Sequence, residues 1–229
     1  MIAIVPARGG SKRIPGKNIK HLLGLPALSV TLRKVISSGL FTRILVSTDD
    51  LQIAQIALGE GAEVLMRSDE LSDDYATTVD VISFSIKQLN DSINLESDIV
   101  ACIYPVTPLL NTDYIVSAAR VLKQDNLDYV FSAKEFQSSP ARSLILDSDG
   151  KSRMTYPENS NTRTQDLPTY YHDAAMFYLG TANSWLEKKP VLNGNSKFIK
   201  VGKYETVDVD DQEDWEILEI LYKKSTGIS

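Results

Sequence analysis

The chain contains one cysteine, so no disulfide can form within it and nothing calls for an oxidising compartment. That residue, Cys102, lies inside the apolar run Ile99-Val100-Ala101-Cys102-Ile103 and reads as core. No apolar run reaches the roughly 20 residues that a membrane-spanning helix needs. The first apolar run is short and Gly and Pro follow it at once, which argues against a secretory leader and makes the cytoplasm the expected location. The two histidines, His21 and His172, sit in separate segments and form no metal-spacing motif. Repeats, low-complexity segments and an obvious interdomain linker are also lacking. The most telling absence is of acid: no Asp or Glu precedes Asp49.

Against that absence stand eight Lys and Arg in the first 48 positions, so this part carries +8 and the remainder −14 of a net −6. The negative total opposes wholesale binding to nucleic acid or to an anionic membrane. Acid peaks between Glu205 and Glu219, where eight carboxylates occur without one Lys or Arg. Most of these suit a solvated helix face. A basic segment paired with a separate carboxylate cluster also meets the needs of a metal–nucleotide site, with cations for phosphate and carboxylates for Mg²⁺.

A chain of 229 residues that is 43% hydrophobic fits one domain with a proper core. Short apolar runs predict strands over 2–5, 43–47, 62–65, 99–103 and 129–132. Helical patterns lie between them, over 27–37, 50–58, 77–90 and 113–123. In the third of these Val79, Ile82, Ile86 and Leu89 share one face. Strands alternating with helices imply right-handed βαβ units and an α/β fold with a mainly parallel sheet. The pattern changes near Phe136. Segments 142–146 and 152–156 flank Asp149-Gly150 and read as a hairpin, part of an inserted arm or lid at about 137–172. Residues 174–179 are expected to return to the sheet, 198–201 and 206–209 to form further strands, and 212–223 to form a last helix with Trp215, Leu218, Leu221 and Tyr222 inward.

The loop after the first strand reads Pro6-Ala7-Arg8-Gly9-Gly10-Ser11-Lys12-Arg13-Ile14-Pro15-Gly16-Lys17-Asn18. Its glycines let backbone N–H groups approach phosphate oxygens, and Arg8, Lys12, Arg13 and Lys17 supply countercharge. A P-loop would place four residues between Gly and Gly-Lys and then Ser or Thr. Here five separate Gly10 from Gly16, and Asn18 follows Lys17, so the P-loop reading fails.

This loop resembles the opening signature of the cytidylyltransferases that activate acidic sugars, the family that makes CMP-sialic acid and its relatives. Further segments match in the same order. Ser47-Thr48-Asp49-Asp50 resembles the family's second-strand terminus. Arg67, Leu71-Ser72-Asp73-Asp74 and Thr77-Thr78 resemble its base-reading segment, Asn161-Thr162-Arg163-Thr164-Gln165-Asp166 its sugar-side loop, and Asp208-Val209-Asp210 its metal motif. Tyr104, Tyr129-Val130-Phe131-Ser132 and Tyr171-His172-Asp173-Ala174 look most like the branch acting on pseudaminic acid. That branch usually continues with Gly and Gln, where this chain has Ala175 and Met176. The Gly-Gly-Ser-Lys-Arg opening is unlike that of the relatives that activate Kdo.

The resemblance implies a Rossmann-like nucleotide-binding sheet flanked by helices, Mg²⁺ as cofactor, CTP and a nine-carbon acidic sugar as substrates, and a homodimer formed through the arm. It implies nucleotide contacts at Arg8, Gly10, Ser11, Lys12, Lys17, Asn18, Arg67 and Thr78, and sugar contacts at Tyr104, Arg163, Gln165 and His172. Lys12, Arg8 and Asp210 would act on the reacting phosphate, and Asp208 and Asp210 would hold the metal. The sugar oxygen is the nucleophile, so no covalent enzyme intermediate is required.

The residues themselves leave alternatives. Asp208 and Asp210, two apart, emerge on one face of an extended segment and suit a hard cation, while Asp210 with Glu213 would also make an acidic capping box. Asp211 fits a cap or a first-turn acid. Asp49, Asp50, Thr77 and Thr78 stand where helices begin and suit N-caps. Asn18 suits a left-handed turn. Legionaminic or sialic acid is the alternative sugar. A kinase or NTPase, releasing phosphate rather than pyrophosphate, and a nucleotide-sensing module without turnover are the rival classes.

Overall fold

The computed structural model describes residues 1–68, 76–89, 93–94, 98–192 and 194–227. Strand β1 (Ile2–Pro6) opens the chain. A miniature hairpin, β2 (His21–Leu22) and β3 (Leu25–Pro26), leads into helix α1 (Ala27–Ser37). There follow β4 (Arg43–Thr48), α2 (Leu51–Gly59), β5 (Glu63–Met66), α3 (Thr78–Leu89), β6 (Ile99–Ile103), α4 (Asp113–Gln124) and β7 (Tyr129–Glu135). The arm carries β8 (Leu144–Leu146) and β9 (Ser152–Met154). The chain then returns through β10 (Tyr171–Thr181), α5 (Ala182–Leu186), β11 (Ser196–Lys200) and α6 (Gln212–Thr226).

Seven strands form one sheet in the order β11-β7-β10-β6-β1-β4-β5, with β10 antiparallel to both its neighbours and the other pairs parallel. Successive side chains of a strand point to opposite faces, and helices cover both faces of this sheet, so β1 is buried on both. Ala3 and Val5 of β1 join α1, α2 and α4 on one side of the sheet, whereas Ile2 and Ile4 join α3 and α5 on the other. Cys102 lies wholly inside the second layer, and burial pushes its thiol far above the ordinary range. Gly180 is needed because a Cβ there would stand 2.6 Å from the Tyr129 ring.

From β1 the chain winds outward through β4 to β5, then crosses back to place β6 on the other side of β1. Such a reversal leaves a crevice at the carboxyl ends of the two central strands, where open α/β sheets bind ligands. A third apolar cluster closes one side of this crevice. Trp215 and Leu218 of α6, with Val209, pack on Ile14 and Leu22 of the N-terminal loop. This cluster brings the acid-rich C-terminal segment beside the basic N-terminal one.

Several details differ from the sequence-based expectation. Residues 206–209 form no ladder, because side chains take up the polar groups of Thr206: its carbonyl accepts from Lys134 Nζ at 3.2 Å and its hydroxyl donates to the Ala174 carbonyl at 2.9 Å. Strand β10 begins before and ends after the run that predicted it, and contains a bulge. The β2–β3 hairpin and α5 are too short for periodicity to reveal. Asn90, the expected end of the third helix, lies outside the described residues. The hairpin around Asp149-Gly150 is present, with β8 and β9 pairing only with each other among the described strands. Leu144, Ile145 and Leu146 of the arm all face solvent.

Candidate active site

The basic loop is shaped by the strand beside it. The Gly9 N–H donates to Asp49 Oδ1 at 2.9 Å, and a Cβ at Gly9 would lie 2.7 Å from Asp50 Oδ2. Glycine is therefore required for the loop to lie against the end of β4. Of the two aspartates, Asp50 is the helix cap, its Oδ1 accepting from the Gln52 and Ile53 N–H groups at 2.7 and 3.0 Å. Asp49 is not a cap: it holds Gly9 and stands 3.8 Å from the largely buried Arg67 guanidinium.

Asn18 is buried and donates from Nδ2 to the Arg8 carbonyl at 2.8 Å, which fixes the loop across its waist. Its backbone is not left-handed, so the turn explanation is set aside; the left-handed residue is Gly16, at φ 64°. The Asn18 Oδ1 is buried without a hydrogen-bond partner, an acceptor aimed at something the protein does not supply.

A cleft of about 630 Å³ opens between these elements. Arg8, Ser11, Lys12, Arg13, Lys17 and Asn18 line it from the loop, Arg67 from the end of β5, Thr78 from α3, Tyr104 from the end of β6, and Asp208 and Asp210 from the segment before α6. The basic and acidic halves of the sequence thus face each other across one cavity. Lys17 Nζ donates to the Val209 carbonyl at 2.8 Å, between the two aspartates. Burial lowers the Lys17 pKa, with Asp208 and Asp210 opposing that shift and Arg13 and Arg8 adding to it. Arg13 Nη2 lies 2.6 Å from Asp210 Oδ1. Loss of hydration raises the pKa of Asp208, and the like charge of Asp210 raises it further. Burial also lowers the Arg67 pKa against the pull of Asp49.

The cap alternative for Asp210 is excluded. Asp211 is the N-cap of α6, accepting from the Asp214 N–H at 2.9 Å, and Asp214 Oδ2 accepts in return from the Asp211 and Asp210 N–H groups. The Asp210 carboxylate therefore has no helix-capping duty. Among the described residues no group of three or more His, Cys, Asp or Glu is placed to hold a metal. Two hard carboxylates are a donor set that fits Mg²⁺, whose other positions phosphate and water would fill.

Thr77 and Thr78 also divide their work. Thr77 makes the cap, exchanging hydrogen bonds with Asp80. This leaves the Thr78 hydroxyl to meet the Tyr104 hydroxyl at 3.1 Å on the cleft wall.

Some expected residues are not gathered here. Gly10 is exposed and does not line the cleft. Arg163 pairs with Asp166 at 3.1 Å on the exposed arm, Gln165 is likewise exposed, and the His172 ring lies tilted against that of Phe136 with centroids 4.7 Å apart. None of these three lines the cleft of its own chain. Residues 71–74 lie outside the described residues. Met176, at the position where the resembling branch has Gln, is buried in the core. The sequence reading missed Asp49 as a loop tie and Arg13 as the partner of Asp210. Only the unbroken basic run hinted at the latter.

A family model described as cytidylyltransferase matches residues 2–221. The chain is 37% identical over 223 residues to the pseudaminic acid cytidylyltransferase of Campylobacter jejuni, covering 97% of this chain and 96% of that one. It is 30% identical over 217 residues to the N-acylneuraminate cytidylyltransferase of Streptococcus agalactiae, covering 93% of this chain and 51% of the relative. A solved structure of CMP:2-keto-3-deoxy-manno-octonic acid synthetase complexed with CTP superimposes with a TM-score of 0.72 at 15% identity, over 98% of both chains. At that identity the likeness speaks for the fold.

Proposed function

The chain belongs to the cytidylyltransferase family, and on that premise we propose that it transfers CMP from CTP to the anomeric hydroxyl of pseudaminic acid, releasing pyrophosphate. The observation that carries this reading is the cleft in which Arg8, Lys12 and Lys17 face Asp208 and Asp210. A polyanion bound there meets cations on one side and carboxylates suited to a divalent ion on the other.

In this reaction the oxygen of the anomeric hydroxyl attacks the α-phosphorus of CTP and gives up its proton, the new P–O bond forms, and the bond to pyrophosphate breaks. The protein aligns the two reactants and offsets the charge that develops. Arg8, Ser11, Lys12 and Lys17 are the proposed triphosphate cradle. Arg67 and Thr78 are proposed to read the base. The orphaned Asn18 Oδ1 would accept from a nucleotide hydroxyl or amino group. Mg²⁺ is the proposed cofactor, held by Asp208 and Asp210; when bound it would neutralise phosphate charge. For that, Arg13 has to release Asp210 and is then available to the nucleotide. Tyr104 is the proposed sugar contact from within the chain.

We also place the enzyme in the cytoplasm, where CTP is made, as a homodimer. The exposed Leu144, Ile145 and Leu146 of the arm support pairing with a second copy. Arg163, Gln165 and His172 reach a sugar only if the arm meets a cleft in some arrangement beyond the single chain. No helix among the described residues is long and apolar enough to cross a membrane.

The test is pyrophosphate release with CTP and Mg²⁺ against a panel of acidic sugars. Turnover is expected with pseudaminic acid. The relation to N-acylneuraminate cytidylyltransferases makes sialic acid the competing substrate, and a preference for it would overturn the choice of sugar. Release of inorganic phosphate in place of pyrophosphate would overturn the reaction class.

A further inference from the structure

Two cations of the basic loop bear on the paired aspartates, and they are held in opposite ways. Lys17 is fixed. Its ammonium donates to the Val209 carbonyl at 2.8 Å, and Val209 belongs to the apolar cluster of Ile14, Trp215 and Leu218. Arg13 is held by its charge. Its Nη2 lies 2.6 Å from Asp210 Oδ1, yet the Arg13 side chain is 68% exposed and that of Asp210 43%. Ion pairs so open to water are weak, so the guanidinium leaves at little cost. The backbone beneath it need not follow. Ile14, the next residue, is buried in the apolar cluster, and its carbonyl accepts from the Lys17 N–H at 3.1 Å. Release of Asp210 therefore requires side-chain rotation alone.

The pair occupies a carboxylate oxygen that the proposed Mg²⁺ would use. A divalent ion arriving by itself has to displace the guanidinium and then stand beside a cation that has lost its partner. That like-charge repulsion weakens binding of the metal alone. A nucleotide changes the balance. Its phosphate oxygens offer the planar guanidinium a bidentate partner within the same cleft, which Arg13 lines together with Lys12, Lys17 and Asp210. Arg13 can then exchange carboxylate for phosphate while the metal takes the carboxylate. Each charge keeps a counterion throughout.

We propose that Arg13 couples the two ligands of the cleft: it guards Asp210 until a nucleotide phosphate draws it away, so the metal site is completed only when nucleotide is bound. The inference rests on the proposed reaction, which brings phosphate and Mg²⁺ into this cleft. The coupling is reciprocal, so bound metal, by keeping Arg13 off Asp210, favours nucleotide by the same factor.

The test is binding without turnover, in the full-length protein. Mn²⁺, a hard cation that oxygen ligands also bind and that electron paramagnetic resonance detects, is titrated into wild type and Arg13→Ala without nucleotide. Removal of the guanidinium should tighten Mn²⁺ about fivefold, the scale of one exposed ion pair. In the same variant CTP binding, measured by calorimetry in EDTA, should weaken about tenfold, because phosphate loses a charge-assisted partner. A residue that served phosphate alone would leave the Mn²⁺ titration where it was, and a purely structural one would weaken both ligands. Unchanged or weaker Mn²⁺ binding therefore overturns the inference, as does unchanged CTP binding. Asp210→Asn breaks the pair from the other side, and its gain in metal-free CTP affinity should shrink in the Arg13→Ala background. Equal gains in the two backgrounds would also overturn it. Should Arg13→Ala fail to fold, Arg13→Gln, which keeps the aliphatic stem, decides between the same outcomes. The reaction is judged separately, by pyrophosphate release from the unaltered enzyme. Release together with an unchanged Mn²⁺ titration discards the coupling and keeps the reaction, whereas no release with any acidic sugar discards both.

Discussion

The Lys17 ammonium donates to the Val209 carbonyl at 2.8 Å across 192 positions of sequence. One hydrogen bond thus joins the loop that carries the positive charge to the segment that carries the paired aspartates. The same seam is reinforced by Arg13 on Asp210, and by Lys20, which donates to Gln212 at 2.7 Å and lies 4.5 Å from the Trp215 ring centre. Lys17 consequently has two tasks, binding and cohesion, and the exposed Lys12 lines the same cleft.

Lys12→Ala should lower kcat/KM by roughly two orders of magnitude, the usual effect of losing a charged contact to a transition state. Lys17→Met should lose activity and also about 1–2 kcal/mol of stability, because the Val209 carbonyl loses a charged donor. Pyrophosphate assays measure the loss of activity in both variants, and urea titration measures the cohesive contribution of Lys17. A Lys17→Met protein as stable as wild type would remove the cohesive role.

Asp210 and Asp211 are neighbours with different work. Asp211→Ala removes the cap of α6 and should cost about 1 kcal/mol without altering the Mg²⁺ titration of activity. Asp210→Asn should move the Mg²⁺ requirement to higher concentration with little change in melting temperature. The reverse assignment of effects would return Asp210 to a structural role.

The left-handed conformation of Ala175 carries strain that glycine would not. Ala175→Gly should therefore stabilise the protein by about 0.5–1 kcal/mol, the relief of strain exceeding the added entropy of the unfolded chain. Ser132→Ala should do the opposite, costing about 1–3 kcal/mol, because two buried N–H groups lose their acceptor. Chemical denaturation of both variants checks the pair of signs.

The Asp80 carboxyl is held at about 2 by Lys188 first and by Thr77 second, below its ordinary 3.8. A depressed carboxyl contributes stability that is complete above the unfolded value and is lost as pH falls from about 4 through about 2. Lys188 is half exposed, so screening reduces the contribution to about 1 kcal/mol. Asp80→Asn should lose that amount at neutral pH and show a shallower decline of stability across the acid window, measured by urea midpoints at successive pH values.

What was legible in the sequence were features that neighbouring residues settle among themselves. Continuous apolar runs such as Ile2 to Val5, and the helical face of Ile82, Ile86 and Leu89, are local patterns, and they are buried as those patterns require. The basic loop was equally plain, since its charge and its glycines lie within a dozen positions. The caps were visible as residue types but not as assignments: Asp49 or Asp50, Thr77 or Thr78, Asp210 or Asp211 are equivalent on paper, and only the backbone geometry of each helix start chose one of each pair.

By itself, then, the sequence determined an α/β chain with a cationic loop after its first strand and paired carboxylates near its end, because period, charge and glycine content are properties of short segments. The tertiary structure alone decided that the loop and the carboxylates share a cleft, since that depends on Trp215 and Leu218 packing on Ile14 and Leu22 from the far end of the chain. It alone decided, too, that Asp173 reaches Tyr178 and Arg163 stays on the arm. A bulge and an arm place side chains by the register of strands paired across the fold, and register between distant strands is written in no single stretch of residues.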